Sequence, residues 1–401
     1  MLKKVVSPET AGKIDRYMTE EKGIPSLLLM EQAASALANK AQQVSKNGKI
    51  TVVAGKGNNG GDGLAAARIL SGRGFCVKTW VTSEDYKADA AVNFEYFKKN
   101  GNYSLLNDDS INSLFEDDSD LIIDALFGTG LKRKPEGLYA RIIEKINGSG
   151  KTVLSADIPS GVFSKTGEAP LAVYADYTVT FQYEKNGHLI YPGAEHTGEL
   201  TVKKIGDDSG FDFPHFHHVC GAELKKRSRN TNKSAYGRVT VVAGSYRYSG
   251  AAVLCSKAAL RAGAGLVTCF TDSVTALSIK SSLPEAMAVS VGEKCVENCD
   301  EILNSAAKSV LAIGPGLSTD KKARLVVYEL LKLENKKIID ADAINILSDR
   351  PELLSGANCV ITPHPKEFSR LSGLSVEEIL KDPVKAAVDF AAKYKIIVLL
   401  K

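Results

Sequence analysis

Gly55-Lys-Gly-Asn-Asn-Gly-Gly-Asp-Gly63 is the stretch that decides how this chain folds. An apolar run at 50–54 precedes it, and an alanine-rich helical pattern at 64–70 follows. A buried strand, a glycine-rich turn and a helix in that order make a βα unit. Five glycines in nine residues exceed what a bare tight turn requires. Glycine lets backbone approach a ligand, and free amides at a helix start favour an anion. The stretch is neither a dinucleotide fingerprint nor a P-loop. No Gly-Lys-Ser/Thr follows, and Asn58, Asn59 and Asp62 interrupt the glycines.

Working outward, the βα alternation continues. Residues 77–82, Leu121–Ala125, Thr152–Ala156, Tyr177–Phe181 and 200–205 read as strands. Tyr139, Ile142, Ile143 and Ile146 place a helix between two of them. Two helices open the chain. Ser7 followed by Pro8 is an N-cap and first helical residue. Met30, Ala33, Ala34, Leu37, Ala41 and Val44 then repeat at helical spacing. Strands alternating with helices predict a mostly parallel sheet covered on both faces.

Two more strand ends carry polar loops: Asp124-Ala-Leu-Phe-Gly-Thr-Gly-Leu131 and Asp157-Ile-Pro-Ser-Gly161. One aspartate at a strand end is equally a helix cap. Three polar loops on the carboxyl edge of one parallel sheet form the place where open α/β folds bind ligands. Asn59, Asp124 and Ser160 offer hard oxygens suited to a small hard cation.

Near 206–236 the periodicity lapses. Lys225-Lys-Arg-Ser-Arg229 reads as a solvated basic patch. His215, His217, His218 and Cys220 match no zinc spacing. A linker is placed at 211–230. The alternation then restarts, with strands at 238–243, 266–270, Val310–Ile313, Lys337–Ile339 and 360–361, and helices at 251–262 and 321–333. Polar loops again follow strands: Gly244-Ser-Tyr-Arg-Tyr-Ser-Gly-Ala251, Gly314-Pro-Gly316, Asp340-Ala-Asp342 and Thr362-Pro-His-Pro-Lys-Glu367. His364 is held between two prolines, a position that serves binding and structure equally well. The last residues, Ile396-Ile-Val-Leu-Leu-Lys401, form a strand-like run, so the second half reads as incomplete.

Composition sets the bounds. The 401 residues are 44% apolar and 24% charged, which excludes a mainly disordered chain. Fifty-one basic against 47 acidic residues give a net charge of +4, without the footprint of a nucleic-acid or membrane binder. No apolar run reaches the length of a membrane span, and the two N-terminal lysines lack the apolar segment of a signal peptide. Seven cysteines, an odd number without a Cys-x-x-Cys pair, read as reduced thiols of a cytoplasmic protein.

Together these motifs resemble the bifunctional NAD(P)H-hydrate repair enzymes over the whole chain. The first half is similar to the NAD(P)H-hydrate epimerase domain through Met30-Glu-Gln-Ala-Ala, Gly57-Asn-Asn-Gly-Gly-Asp-Gly63, Asp124 to Leu131, Ser155-Ala-Asp-Ile-Pro-Ser-Gly161 and Gly187-His-Leu-Ile-Tyr-Pro-Gly193. The second is similar to the ribokinase-like ADP-dependent NAD(P)H-hydrate dehydratase. Its matches are Lys233-Ser-Ala-Tyr-Gly237, Ala258-Ala-Leu-Arg-Ala-Gly-Ala-Gly265, Gly314-Pro-Gly-Leu317, Ile339-Asp-Ala-Asp-Ala-Ile-Asn345 and Thr362-Pro-His-Pro365. The resemblance implies an α/β chain with a Rossmann-like three-layer αβα domain at 1–210 and an incomplete ribokinase-like α/β domain at 231–401. It implies epimerisation of R- and S-NAD(P)H-hydrate, and dehydration of the S form after phosphorylation by ADP.

By the same resemblance, Asn58, Asn59, Gly60, Gly61 and Asp62, then Gly128, Thr129, Gly130, Leu131, Lys132, Arg133 and Lys134, hold the hydrate. Asp157 contacts it and is the expected acid–base group. Asn59, Asp124 and Ser160 match the potassium ligands. In the second half Ala251, Gly316 and His364 match hydrate-binding positions, and Lys401 the first residue of the adenine-nucleotide loop. Implied cofactors are K+ and ADP, with Mg2+ a further candidate. The expected partner is the small-molecule hydrate, with homo-oligomers, no nucleic acid and no membrane. Ser318 and Lys366 stand where the family pattern has glycine, and a Gly-Gly-Ser-Gly-Asp motif expected after Lys401 is absent, so no ADP-dependent dehydration is expected. Two other readings stay open: a non-catalytic nucleotide-binding scaffold, and a ribokinase-like small-molecule kinase.

Overall fold

A computed structural model describes residues 2–221, 226–306 and 308–401. The chain divides into two compact units, Met1–Glu223 and Leu224–Lys401. The division falls inside the stretch read as a linker. Lys225, which opens the basic run, lies outside the described residues.

In the first unit seven strands lie in the order Ser104–Leu105, Cys76–Val81, Lys49–Ala54, Leu121–Ala125, Thr152–Ala156, Tyr177–Phe181, Glu199–Lys203. Every pairing is parallel. Side chains alternate between two cores, as strand geometry requires. Val52, Ala54, Leu121 and Ile123 pack with helices Ser26–Val44, Asn58–Gly72 and Ala88–Asn100. Val53, Ile122 and Val153 pack on the other face with Ile142, Ile143 and Ile146 of helix Leu138–Asn147. Each valine, leucine or isoleucine among them contributes about 1.5–3 kcal/mol by leaving water.

The order of the strands positions the site. From Lys49–Ala54 the chain winds outward to Cys76–Val81 and Ser104–Leu105, then returns to Leu121–Ala125 on the other side. The connections diverge at that point and leave a crevice at the carboxyl ends. The loops after Lys49–Ala54 and Leu121–Ala125 flank this crevice. They approach so closely that a Cβ on Gly55 would fall 2.0 Å from the Leu126 carbonyl oxygen.

Helix Pro8–Glu20 begins at the expected cap, with the Thr10 amide donating to Ser7 Oγ at 3.1 Å. A strand not read from the sequence, Leu2–Val6, precedes it. It is the centre of a small sheet, antiparallel to Phe216–Val219 and parallel to Glu184–Lys185. The linker reading of 211–230 is therefore corrected at 216–219. These residues show no apolar alternation because Phe216 and Val219 remain exposed and the backbone ladder supplies the pairing. Ser104–Leu105 was also missed, being two residues long.

The second unit repeats the same order: Met287–Ser290, Leu266–Thr271, Arg238–Val242, Val310–Ile313, Lys337–Ile339, Cys359–Ile361, Ile397–Val398, all parallel. Its larger core joins Ile313, Ile339 and Ile361 to Val326, Leu330, Ile346 and Phe368. The edge strand Met287–Ser290 was not anticipated, and its partly exposed side chains give the reason. Among the described residues no helix is long and apolar enough to cross a membrane.

Candidate active site

Helix Asn58–Gly72 starts directly behind the glycine turn. Its glycines divide by task. A Cβ on Gly60 would lie 1.6 Å from the Gly55 carbonyl oxygen, one on Gly61 2.8 Å from Ala90, and one on Gly63 2.5 Å from Ala125. These positions seat the helix against the sheet and its neighbour. Asn58, Asn59 and Asp62 instead line a cavity of about 1340 Å³ at the carboxyl edge. Residues 128–134, Asp157 and Asp15 line it as well. Gly60 and Gly61 are buried behind that wall.

The three strand-end loops are stitched together through Asp124, which is fully buried. Its Oδ1 accepts from Ser160 Oγ at 2.6 Å, and its Oδ2 from Ser155 Oγ at 2.8 Å and the Ser160 amide at 2.9 Å. Ser160 Oγ in turn accepts from the Phe127 amide at 2.9 Å, and Asn59 Nδ2 donates to the Phe127 carbonyl at 3.0 Å. Asn59, Asp124 and Ser160 thus meet around the Phe127 peptide. Burial pushes the Asp124 carboxyl above its ordinary range despite the serine bonds. The Asp124 carboxylate, the Ser160 hydroxyl and the Phe127 carbonyl gathered there are hard oxygens, the donor type that hard cations take.

Asp157 ends strand Thr152–Ala156 in a left-handed backbone conformation, φ 63°, tolerated by aspartate better than by most residues. Its Oδ1 accepts from Lys185 Nζ at 2.6 Å and from Thr180 Oγ1 at 2.9 Å. The ammonium also donates to Thr180 Oγ1 at 2.7 Å and to the Phe181 carbonyl at 3.0 Å. Burial alone raises the Asp157 carboxyl. The adjacent ammonium outweighs it and holds the group below the usual carboxylate range. Lys185 is 3% exposed at its side chain, and its charge is matched by Asp157 and two further oxygens.

Below them, His188 Nδ1 accepts the Lys185 amide at 3.1 Å, leaving Nε2–H to donate to the Asp157 carbonyl at 2.8 Å. Burial, and then the Lys185 charge, push this imidazole down to about 4. It is neutral in the fold, whereas in the unfolded chain it takes a proton below about 6.5. Folding stability therefore falls as pH drops from about 6.5 to about 4, by roughly 3 kcal/mol. Urea unfolding followed across that window checks this, and His188→Gln is expected to flatten the slope.

Asp62 and Asp15 complete the charge in the cavity. Burial first, then the nearby Asp157 and Asp15 carboxylates, push Asp62 well up. Asp15, on helix Pro8–Glu20, lines the same cavity, and burial there, with the Asp157 charge adding and Lys185 opposing, raises it to about 6. Lys185, Thr180, His188 and Asp15 were not read from the sequence. His188 lay inside the quoted stretch 187–193, whereas Lys185, standing among Gln182, Glu184 and Asn186, carried no local signal.

In the second unit the expected residues also gather on one carboxyl edge. Gly316, φ 65°, packs on Ala251, where an added Cβ would come within 2.9 Å. The Lys401 amide donates to the Pro363 carbonyl at 2.9 Å, and its Nζ to Asp340 Oδ1 at 3.0 Å. His364 caps helix Pro365–Ser372, its Nδ1 accepting the amides of Lys366 and Glu367 at 3.1 and 3.3 Å. That bonding fixes the proton on Nε2.

Comparison with known proteins agrees with this arrangement of two units. Residues 26–187 match a family described as YjeF-related protein N-terminus, and 239–401 one described as NAD(P)H-hydrate dehydratase. A bifunctional NAD(P)H-hydrate repair enzyme of Thermofilum pendens is 39% identical over 97% of this chain and 78% of its own length. That of Moorella thermoacetica is 36% identical over 99% and 80%. Among solved structures, the ADP/ATP-dependent NAD(P)H-hydrate dehydratase of Bacillus subtilis co-crystallized with ATP/Mg2+ is 29% identical, covering 44% of this chain and 62% of that one, at a TM-score of 0.38. With relatives this similar along nearly all of its length, the chain belongs to the family of bifunctional NAD(P)H-hydrate repair enzymes.

Proposed function

We propose that the cavity of the Met1–Glu223 unit interconverts the R and S epimers of NAD(P)H-hydrate, and that the Leu224–Lys401 unit carries the ADP-dependent dehydration of the S epimer; the second assignment reverses the expectation drawn from the missing Gly-Gly-Ser-Gly-Asp motif, on the strength of the dehydratase match over 239–401. One observation carries the epimerase reading: a carboxylate, Asp157, kept ionised by a buried ammonium 2.6 Å away, in the wall of a cavity large enough for a dinucleotide. The hydrate is a hemiaminal, with a hydroxyl on the carbon beside the ring nitrogen. Inverting that carbon requires proton transfer at the hydroxyl oxygen, and a positioned carboxylate supplies it.

The remaining residues bind and orient. Amides at the start of helix Asn58–Gly72 meet the pyrophosphate, as free helix N–H groups do. Lys132, Arg133 and Lys134 bring positive charge to the same phosphates from the opposite loop. Asn58, Asn59 and residues 128–131 shape the wall around the rest of the dinucleotide. Asn59, Asp124 and Ser160 would hold K+, whose charge would fix the three loops and add to the attraction for the phosphates. ADP, with Mg2+, is the proposed nucleotide of the second unit. Lys401 and the strand-end carboxylates Asp340 and Asp342 stand at its proposed site, beside Ala251, Gly316 and His364 for the hydrate.

Incubating R-NADH-hydrate with the protein, with and without ADP, and separating the products by chromatography tests both assignments. The S epimer is expected to appear faster than it forms spontaneously. NADH appearing only in the ADP arm assigns dehydration to the second unit. An R-to-S rate no greater than the spontaneous one would sink the epimerase reading. Replacing K+ by tetramethylammonium is expected to slow epimerisation at least tenfold, and Asp124→Asn to remove the response to K+; equal rates in the two salts would exclude the cation.

A further inference from the structure

We propose that Asp62 is a second acid–base group of the epimerase, working with Asp157 so that a proton enters the ring hydroxyl from one carboxyl and leaves through the other. This rests on the epimerase reading above.

Inverting one carbon poses a geometric problem. The departing hydroxyl leaves one face of the ring, and the arriving one must form on the other. A single fixed group serves one face. Two groups of opposite protonation state serve both, and environments that drive two carboxyls apart are how one cavity acquires an acid and a base.

The cavity holds such a pair. Asp157 stands at the end of a strand, bonded through Oδ1 to Lys185 and Thr180. Asp62 lines the same cavity from helix Asn58–Gly72, one turn beyond Asn58. What acts on it is burial and the charges of Asp157, Asp15 and Lys185, without a hydrogen bond. Other charged groups line the cavity as well, among them Lys56 on the glycine turn and Asp89 on helix Ala88–Asn100. A half-buried carboxyl facing the charges of Asp157 and Asp15, with the one cation acting on it already bonded to Asp157, is stable as the neutral acid. Nothing in the fold requires this group. Asp62 carries no cap and no ion pair, whereas Asp124, equally acidic by type, is bonded on both oxygens.

The step balances. Asp62 gives its proton to the ring hydroxyl. The carbon–oxygen bond breaks with its electron pair on the departing water, and the ring nitrogen lone pair closes an iminium. A second water adds to the other face, losing a proton to the Asp157 carboxylate. One hydroxyl has been exchanged for another of opposite hand, and one proton has passed from Asp62 to Asp157. The enzyme is then in the form that takes the reverse reaction.

Both predicted consequences are measurable. In water enriched in ¹⁸O, each R-to-S conversion by the wild-type protein is expected to incorporate one solvent oxygen. Asp62→Asn is expected to lower kcat about 100-fold or more in both directions, with KM within about threefold. It is also expected to abolish the fall in rate at alkaline pH, where the wild-type acid ionises. The proposal is overturned by unlabelled product, by turnover of Asp62→Asn within threefold of wild type, or by an alkaline fall that persists in it. Should Asp62→Asn fail to fold, Asp62→Glu and the isotope measurement still decide. A wild-type protein without epimerase activity would overturn the functional reading itself.

Discussion

Asp157→Asn is expected to lower epimerase kcat by roughly 10²–10⁴-fold, the range associated with one positioned acid–base group. The amide keeps the shape, and its oxygen still accepts from Lys185 Nζ and Thr180 Oγ1, which now reach Oδ1 at 2.6 and 2.9 Å. It can neither take nor hold a proton at the hydroxyl. Substrate binding draws on the glycine-turn amides and on residues 128–134, so KM is expected to change little. The comparison of kcat with KM separates lost proton transfer from a damaged cavity. It also separates an enzyme from a nucleotide-binding scaffold, whose binding the substitution would leave untouched. Activity within threefold of wild type would remove Asp157 from the mechanism.

Lys185→Met is expected to cost about 3–5 kcal/mol of folding stability at neutral pH, the usual result of removing one partner of a buried ion pair. Both ends lie in the fold: the Lys185 side chain is 3% exposed and that of Asp157 14%. The sign of the pH dependence follows from the carboxyl. In the wild type Asp157 titrates below its unfolded value, so its contribution is present above the ordinary carboxylate range and lost as pH falls through the lowered pKa. Without the ammonium, burial dominates and the folded carboxyl titrates above its unfolded value. The variant then gains relative to wild type on acidification. The stability difference is expected to be largest near pH 7 and to shrink toward pH 4, as urea titrations at the two values would show. A constant difference would mean that packing of the lysine stem, and not its charge, stabilises the fold.

The position of Lys185 explains why the small sheet exists. Strand Glu184–Lys185 pairs with Val5 and Val6 of the N-terminal strand. Glu184, itself buried, accepts from Lys3 Nζ at 3.1 Å and sits 2.7 Å from His218 Nδ1. The two ends of the first unit, 2–6 and 216–219, thereby hold the strand that delivers the ammonium to Asp157. A segment that looked like a polar connection contributes to the site at one remove.

The sequence by itself determined the α/β class, the two-part organisation and the three loops of the site. Their signals are local: apolar runs of strand length, glycines next to asparagine and aspartate, and aspartates at strand ends. It also determined the cap at Ser7, because a serine before a proline acts within one turn. Only the tertiary structure decided which glycines serve packing and which neighbours face the cavity. Gly60, Gly61 and Gly63 close against backbone and side chains up to 62 residues away along the chain, while Asn58 and Asp62 turn outward. Only tertiary structure paired Asp157 with a lysine 28 residues on, and left Asp62 without a bond. Electrostatic character belongs to the whole environment of a group. Burial and charges brought from distant segments set it, and a string of residues does not carry that information until it folds.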